Sequence, residues 1–228
     1  MTIGTKTTSP HIIIVGAGPG IGVGVARAFG ATGFAVSLLA RGQRNLDEAT
    51  SALTETGADV AAFVADAAHP ESLRVAIQAA LARFGAADAL LYNAVSFSQG
   101  LPTTVDPASL TRDFNVNVVG ALVAAQAVLP SMRREGRGTL LFTGGGYALH
   151  PDPAFASLGI GKGALRTLVM LLARELEGSG IRVSTLTIMG LVKSGSAFDP
   201  EGIGRAFLEL YQKPADAFPV EVQFRGLP

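Results

Sequence analysis

The chain has 228 residues, of which 18 are basic, 18 acidic and 48% hydrophobic. The cancelled charge argues against a general nucleic-acid or anionic-membrane surface. The absence of cysteine excludes disulfide and thiolate chemistry and fits a reducing cytoplasm, and the three histidines, His11, His69 and His150, form no metal-ligand pair at helical spacing.

The first ten residues, MTIGTKTTSP, are polar and read as a flexible tail without the pattern of a signal peptide. Residues 11–228 read as one domain. The longest apolar runs are broken by Gly, Arg or Pro short of a membrane span, so the expectation is a cytoplasmic protein.

In chain order, HIIIV (11–15) is a β-branched run that reads as a buried strand. A helix follows, closed by Gly33. FAVSLLA (34–40) reads as a second strand, 44–57 as a helix with a glycine stop, and ADVAAFVAD (58–66) as a third strand. Pro70 opens a helix over 71–85, and ADALLYNA (87–94) is a fourth strand. Asp106-Pro107 marks a helix start, with a long helical region from about Ala108 to Arg134. GTLLFTGGG (138–146) is a fifth strand, 155–180 a long helix, 181–190 a sixth strand and VEVQF (220–224) a short seventh. Residues 193–219 read as an irregular insert carrying a short amphipathic helix near the substrate mouth, with Phe198, Phe207 and Leu208 either lining the pocket or packing on the sheet. Strands that alternate with helices and are continuously apolar predict a three-layer, doubly wound α/β fold of Rossmann type around a mostly parallel seven-stranded sheet.

The turn VGAGPGIG places Gly16, Gly18, Gly20 and Gly22, with Ile21, between the first strand and its helix. Glycine permits a tight turn and close backbone approach, and the helix N-terminus offers N–H groups to a pyrophosphate. The βαβ context makes dinucleotide binding the expectation. The second strand ends in Ala40 and Arg41, where an acidic residue would bind the ribose hydroxyls of NAD. A guanidinium suits a 2′-phosphate, so NADP(H) is favoured over NAD(H).

These features resemble the short-chain dehydrogenase/reductase family over roughly residues 11–195. The glycine turn is similar to its cofactor motif, and Asp66 stands where the family has an aspartate beside the adenine. YNAV (92–95) resembles its Asn-Asn-Ala-Gly motif and keeps Asn93. Asn117 matches the active-site asparagine, Lys162 the catalytic lysine, and Ser194 falls where a hydroxyl often touches the nicotinamide end. The resemblance implies hydride transfer to or from nicotinamide, with a tyrosine four residues before the lysine as proton donor. At that spacing both side chains share one helix face, and the ammonium favours tyrosinate. The family also commonly forms dimers and tetramers through its two long helices, which makes a homodimer or homotetramer the expectation.

The position four residues before Lys162 is Leu158, and none of the three tyrosines, Tyr92, Tyr147 and Tyr211, stands four residues before a lysine. The family's serine position falls on Gly144 or Gly145, with Thr143 the nearest hydroxyl. Losing a positioned general acid costs about 10²- to 10⁴-fold in rate. Tyr147, His150 and Lys162 with a water are the candidate substitutes. Two expectations follow: a divergent oxidoreductase acting on a small organic substrate with a non-standard proton donor, or a cofactor-binding protein without redox turnover. The glycines Gly159, Gly161 and Gly163 around the lysine imply that cofactor, substrate or a partner helix comes close.

Overall fold

The computed structural model describes residues 9–55 and 57–227, so most of the expected N-terminal tail lies outside the described residues. Seven strands form one sheet in the order β3-β2-β1-β4-β5-β6-β7. They are β1 His11–Val15, β2 Ala35–Ala40, β3 Val60–Val64, β4 Ala89–Tyr92, β5 Gly138–Gly145, β6 Ile181–Ile188 and β7 Glu221–Phe224. Every adjacent pair is parallel. Parallel neighbours need crossovers, and helices supply them on both faces. On one face α1 (Ile21–Gly30), α2 (Gln43–Thr54) and α7 (Pro200–Gln212) bury Phe29, Leu46 and Phe207 against Ile12, Ile14 and Leu38. On the other, α3 (Pro70–Phe84), α5 (Gly120–Glu135) and α6 (Ala156–Glu175) bury Ile77, Val128 and Val169 against Ile13, Leu90 and Leu140. Alternate residues of β1 thus serve opposite cores, as the two-residue period requires.

The crossover from β4 to β5 opens with α4 (Pro107–Phe114), N-capped by Asp106, whose carboxylate accepts from the Ala108 and Ser109 amides. The helical path to α5 is continuous, but residues Asn115–Val119 form a π turn. A π turn displaces the ladder by one residue. The Tyr92 hydroxyl donates to the Val116 carbonyl inside it. Tyr92 is 1% exposed and its hydroxyl is pushed upward in pKa, first by burial and then by Asp66. It is a structural clamp on the π turn.

Within residues 198–214 the expected amphipathic helix is α7, and Phe207 packs on the sheet. Ile203 and Phe207 of α7 are fully buried in the core beside α1. The two helix backbones touch: a Cβ on Gly24 would stand 2.2 Å from the Pro200 carbonyl, and one on Gly204 would stand 2.3 Å from that of Gly24. Phe198 packs edge-on to Phe224. The amphipathic pattern was legible, but its apolar face is spent on the sheet. That leaves 189–199 as the connection between β6 and α7.

The helical stretches Pro107–Glu135 and Ala156–Glu175 are long and apolar enough, by composition, to cross a membrane, a property that the core helices of a sheet protein share. In this fold both pack on the sheet.

Candidate functional site

The C-terminal ends of β1, β2, β3 and β4 open onto a cleft of about 680 Å³, lined by Gly16, Gly18, Gly20, Ile21, Arg41, Asp66 and Asn93 among others. The glycine turn divides into two kinds of glycine. Gly16 has φ +88° and lies so close to β4 that a Cβ would stand 2.4 Å from the Ala94 amide nitrogen. Gly22 is similarly constrained by the Gly16 carbonyl at 2.6 Å. Gly18 and Gly20, in contrast, face open space, with no protein atom within 4 Å of where a Cβ would be. The protein's own packing therefore does not demand glycine at 18 or 20, whereas a ligand lying against the loop would. No side chain caps the start of α1, so its first amides remain available to an anion. These residues fit a dinucleotide pyrophosphate.

Arg41 is exposed at the cleft's outer end, and Asn45, which the sequence reading passed over, lines the same end. Asp66 uses its carboxylate to accept from the Ala68 amide at 2.9 Å and to meet His69 Nδ1 at 3.0 Å, closing the turn after β3. Ser194 lies outside this cleft, in a neighbouring groove with Pro19, Gly20, Arg27 and Glu201. It sits beside the glycine turn.

A hydrogen-bonded chain crosses the strand ends from the lysine to the glycine turn. Lys162 Nζ donates to the Thr143 carbonyl at 2.7 Å. The Thr143 hydroxyl donates to Asn93 Oδ1 at 2.9 Å, and Asn93 Nδ2 donates to the Gly16 carbonyl at 2.8 Å. The hydroxyl of Thr143 is thereby committed. Strand alternation settles which glycine faces the lysine: the Cβ position of Gly145 lies 3.4 Å from Lys162 Cγ, whereas that of Gly144 points at Thr185 and Thr187. Lys162 is 8% exposed, and burial lowers its pKa from 10.5 to about 8.

A second network was invisible in the sequence. Asn117, in the π turn, donates from Nδ2 to the Ser96 carbonyl at 2.7 Å and accepts the Ser96 amide on Oδ1 at 2.9 Å. The Ser96 and Ser157 hydroxyls each donate to Asp113 at 2.6 Å, and the Ser98 amide donates to Ser157 Oγ at 3.2 Å. Burial is the largest single influence on Asp113 and opposes ionisation. The hydrogen bonds from Ser157, Ser96 and Ser98 together outweigh it and hold the carboxyl below its ordinary pKa. Only the i, i+4 spacing of Asp113 and Asn117 hinted at this.

Gly161 is explained by the same helix contact: a Cβ there would stand 2.6 Å from Asn117 Nδ2. A partner helix, not a ligand, requires it. Gly163 faces open space. Tyr147 is half-buried in the short 3₁₀ turn after β5 and stacks on Phe155 with ring centroids 5.2 Å apart. His150 is exposed on the loop that follows, and Leu158 is half-buried on α6.

The comparisons agree with this geometry. The family model described as short chain dehydrogenase matches residues 10–197. The chain is 33% identical over 198 residues to 2-(S)-hydroxypropyl-CoM dehydrogenase 3 of Xanthobacter autotrophicus, covering 83% of this chain and 77% of that one. It is 30% identical over 178 residues to the human dehydrogenase/reductase SDR family member 4, covering 77% of this chain and 63% of that one. Among solved structures, an alcohol dehydrogenase from the archaeon Thermococcus sibiricus, complexed with 5-hydroxy-NADP, superposes with a TM-score of 0.86 at 26% identity, covering 95% of this chain and 96% of that one. L-sorbose reductase from Gluconobacter frateurii, with NADPH and L-sorbose, superposes with a TM-score of 0.89 at 23% identity, covering 96% of each chain, and shows the fold alone. With a glycine turn at the first crossover, a buried lysine wired to it and a family match over most of its length, the chain belongs to the short-chain dehydrogenase family.

Proposed function

We propose that the protein is an NADP(H)-dependent oxidoreductase that acts on a small organic substrate with a proton donor other than the family's tyrosine. The bound nicotinamide supplies or takes the hydride. Gly18, Gly20 and the start of α1 hold the pyrophosphate, Arg41 with Asn45 holds the 2′-phosphate, and Asp66 lies beside the adenine. Asn93 keeps the glycine turn in register with β4, and Ser194, in the groove it shares with Pro19 and Gly20, is the hydroxyl for the nicotinamide end. Lys162 and Asn117 complete the catalytic group.

The observation that carries this reading is Lys162 itself. Its ammonium is buried with a single carbonyl partner, an arrangement that costs stability. A chain with no use for the charge gains by replacing it. With a pKa near 8, the group both holds and releases a proton near neutral pH. Leu158 and Gly145 supply no hydroxyl, so the proton comes from Lys162 through water, from Tyr147 or from His150. A substrate needing less acid assistance, such as an iminium ion or an activated alkene, fits better than a simple ketone. A homodimer or homotetramer through α5 and α6 fits the exposure of Ile160 (47%) and Leu171 (60%) on α6.

The test is titration with NADPH and NADH, followed by absorbance at 340 nm over a panel of ketones, imines and enones. The expected result is tighter binding of NADPH, lost about tenfold in Arg41→Ala, and turnover concentrated on imines or enones. NADPH binding without turnover on any class would instead support a binding protein without redox chemistry.

A further inference from the structure

Residues 95–101 carry their polarity reversed. In this extended stretch between β4 and α4, Ser96 and Ser98 turn inward to Asp113, Ser157 and Asn117. Val95 (48% exposed), Phe97 (51%) and Leu101 (48%) turn outward, with Gln99 the one polar residue on that edge. An alternating segment on a protein surface normally does the opposite. Here a buried carboxylate is retained, and its effect is to fix the segment with its apolar edge toward solvent.

That edge continues the cofactor cleft. Val95 lines the cleft. Phe97 meets Phe155 at 6.1 Å between ring centroids, and Phe155 stacks nearly parallel on Tyr147, at 18° between planes. Tyr147 is two residues past Gly145, which lies against Lys162, and Phe155 is three residues before Leu158. The outward residues therefore begin at the cleft and reach the Phe155–Tyr147 pair, which flanks Gly145 and Leu158 in the chain, and none of them is charged.

We propose that this edge is the substrate platform and that the substrate carries an uncharged aromatic ring, which extends the stack made by Phe97, Phe155 and Tyr147. The proposal rests on the reading of the adjoining cleft as a nicotinamide site. Three features favour a ring over other occupants. The surface is aromatic, and rings gain from offset or edge contacts with rings. It lacks the charge that would select an ionic substrate. Its three exposed apolar side chains are too few for a stable protein interface, which buries about 800 Å² per partner.

The test is equilibrium dialysis of 2-acetylnaphthalene and of its fully saturated decalin counterpart, with and without NADP⁺, a form that has no hydride to give. The ring compound is expected to bind about fivefold or more tightly than the saturated one. Phe97→Ala should weaken it by a similar factor, Phe97→Leu should not restore it, and NADP⁺ affinity should be unchanged in both. Equal binding of the two probes, or no loss in Phe97→Ala, overturns the proposal. So does sedimentation showing that Phe97→Ala dissociates an oligomer, since a second copy would then own the edge. The same protein is followed with NADPH at 340 nm over the panel of ketones, imines and enones. Discriminating binding of the two probes with no NADPH oxidation on any class defeats the redox reading and leaves the platform standing, and oxidation on the imines or enones with indiscriminate binding does the reverse.

Discussion

Among the described residues two basic side chains are buried, at opposite edges of the same sheet, and they are treated differently. His11 opens β1 at the N-terminal edge and is fully buried. Its Nε2 meets Ser37 Oγ at 2.9 Å and its Nδ1 the Gly85 carbonyl at 3.2 Å. Burial lowers its pKa to about 4, against smaller opposing effects from Gly85 and Asp88, so at neutral pH it is an uncharged, hydrogen-bonded core residue. Lys162 sits at the C-terminal edge with one carbonyl partner and a pKa of about 8. At neutral pH it is still largely charged. Where the sheet needs only packing, the charge has been eliminated. Where ligands bind in such sheets, it has been kept at a cost.

The sharpest way to break this contrast is Lys162→Met. Turnover should fall by at least about 10²-fold. Stability at pH 7 should rise by up to about 3 kcal/mol, the equivalent of the depressed pKa. The sign follows from linkage: between pH 8 and 10.5 the unfolded chain binds the proton that the folded chain has released, so wild-type stability climbs with pH in that window and the variant's does not. Chemical denaturation at pH 7 and 10.5 checks it. A variant that loses activity without gaining stability would show that the buried charge is not costly.

The second test places hydroxyls where the family resemblance implies them, at Leu158 and Gly145. Gly145 has extended dihedrals (φ −151°, ψ 146°) and space for a Cβ beside Lys162. Leu158→Tyr with Gly145→Ser should therefore raise ketone reduction by about 10²-fold or more, measured as NADPH oxidation. No gain from a folded double variant would mean that Lys162 is not held where a tyrosine could use it.

The smallest effect is at His11. Unfolded histidine takes its proton near pH 6.5 and the folded residue near pH 4. Its contribution is thus complete above pH 6.5 and is lost as pH falls to 4, by about 3 kcal/mol. The difference in stability between wild type and His11→Gln, followed across that range, should show this slope, while NADPH affinity at pH 7 stays unchanged. A flat difference would mean that His11 is protonated in the fold.

What the sequence disclosed, and what it withheld, follow from range. The seven strands were readable because each is a continuous apolar run, and errors fell at their ends, as for β4, expected over 87–94 and found over Ala89–Tyr92. The glycine turn and Lys162 were readable because their chemistry is local in sequence. The π turn was not, since it adds a single residue to a helix whose pattern runs on unbroken. Asp113 was not, because its partner Ser157 is 44 residues away. The helix in 198–214 was anticipated with pocket lining and sheet packing both open, and Phe207 takes the packing role, because an amphipathic pattern names an apolar face without naming what covers it.

The most direct measurement of the central claim is an NMR titration of the lysine Cε resonances with and without NADPH. The chain has four lysines, so Lys162→Met identifies the signal. The account predicts one lysine titrating near 8, absent from the variant and displaced when NADPH binds. The absence of any lysine signal titrating near 8, or a Lys162 signal indifferent to NADPH, would contradict it.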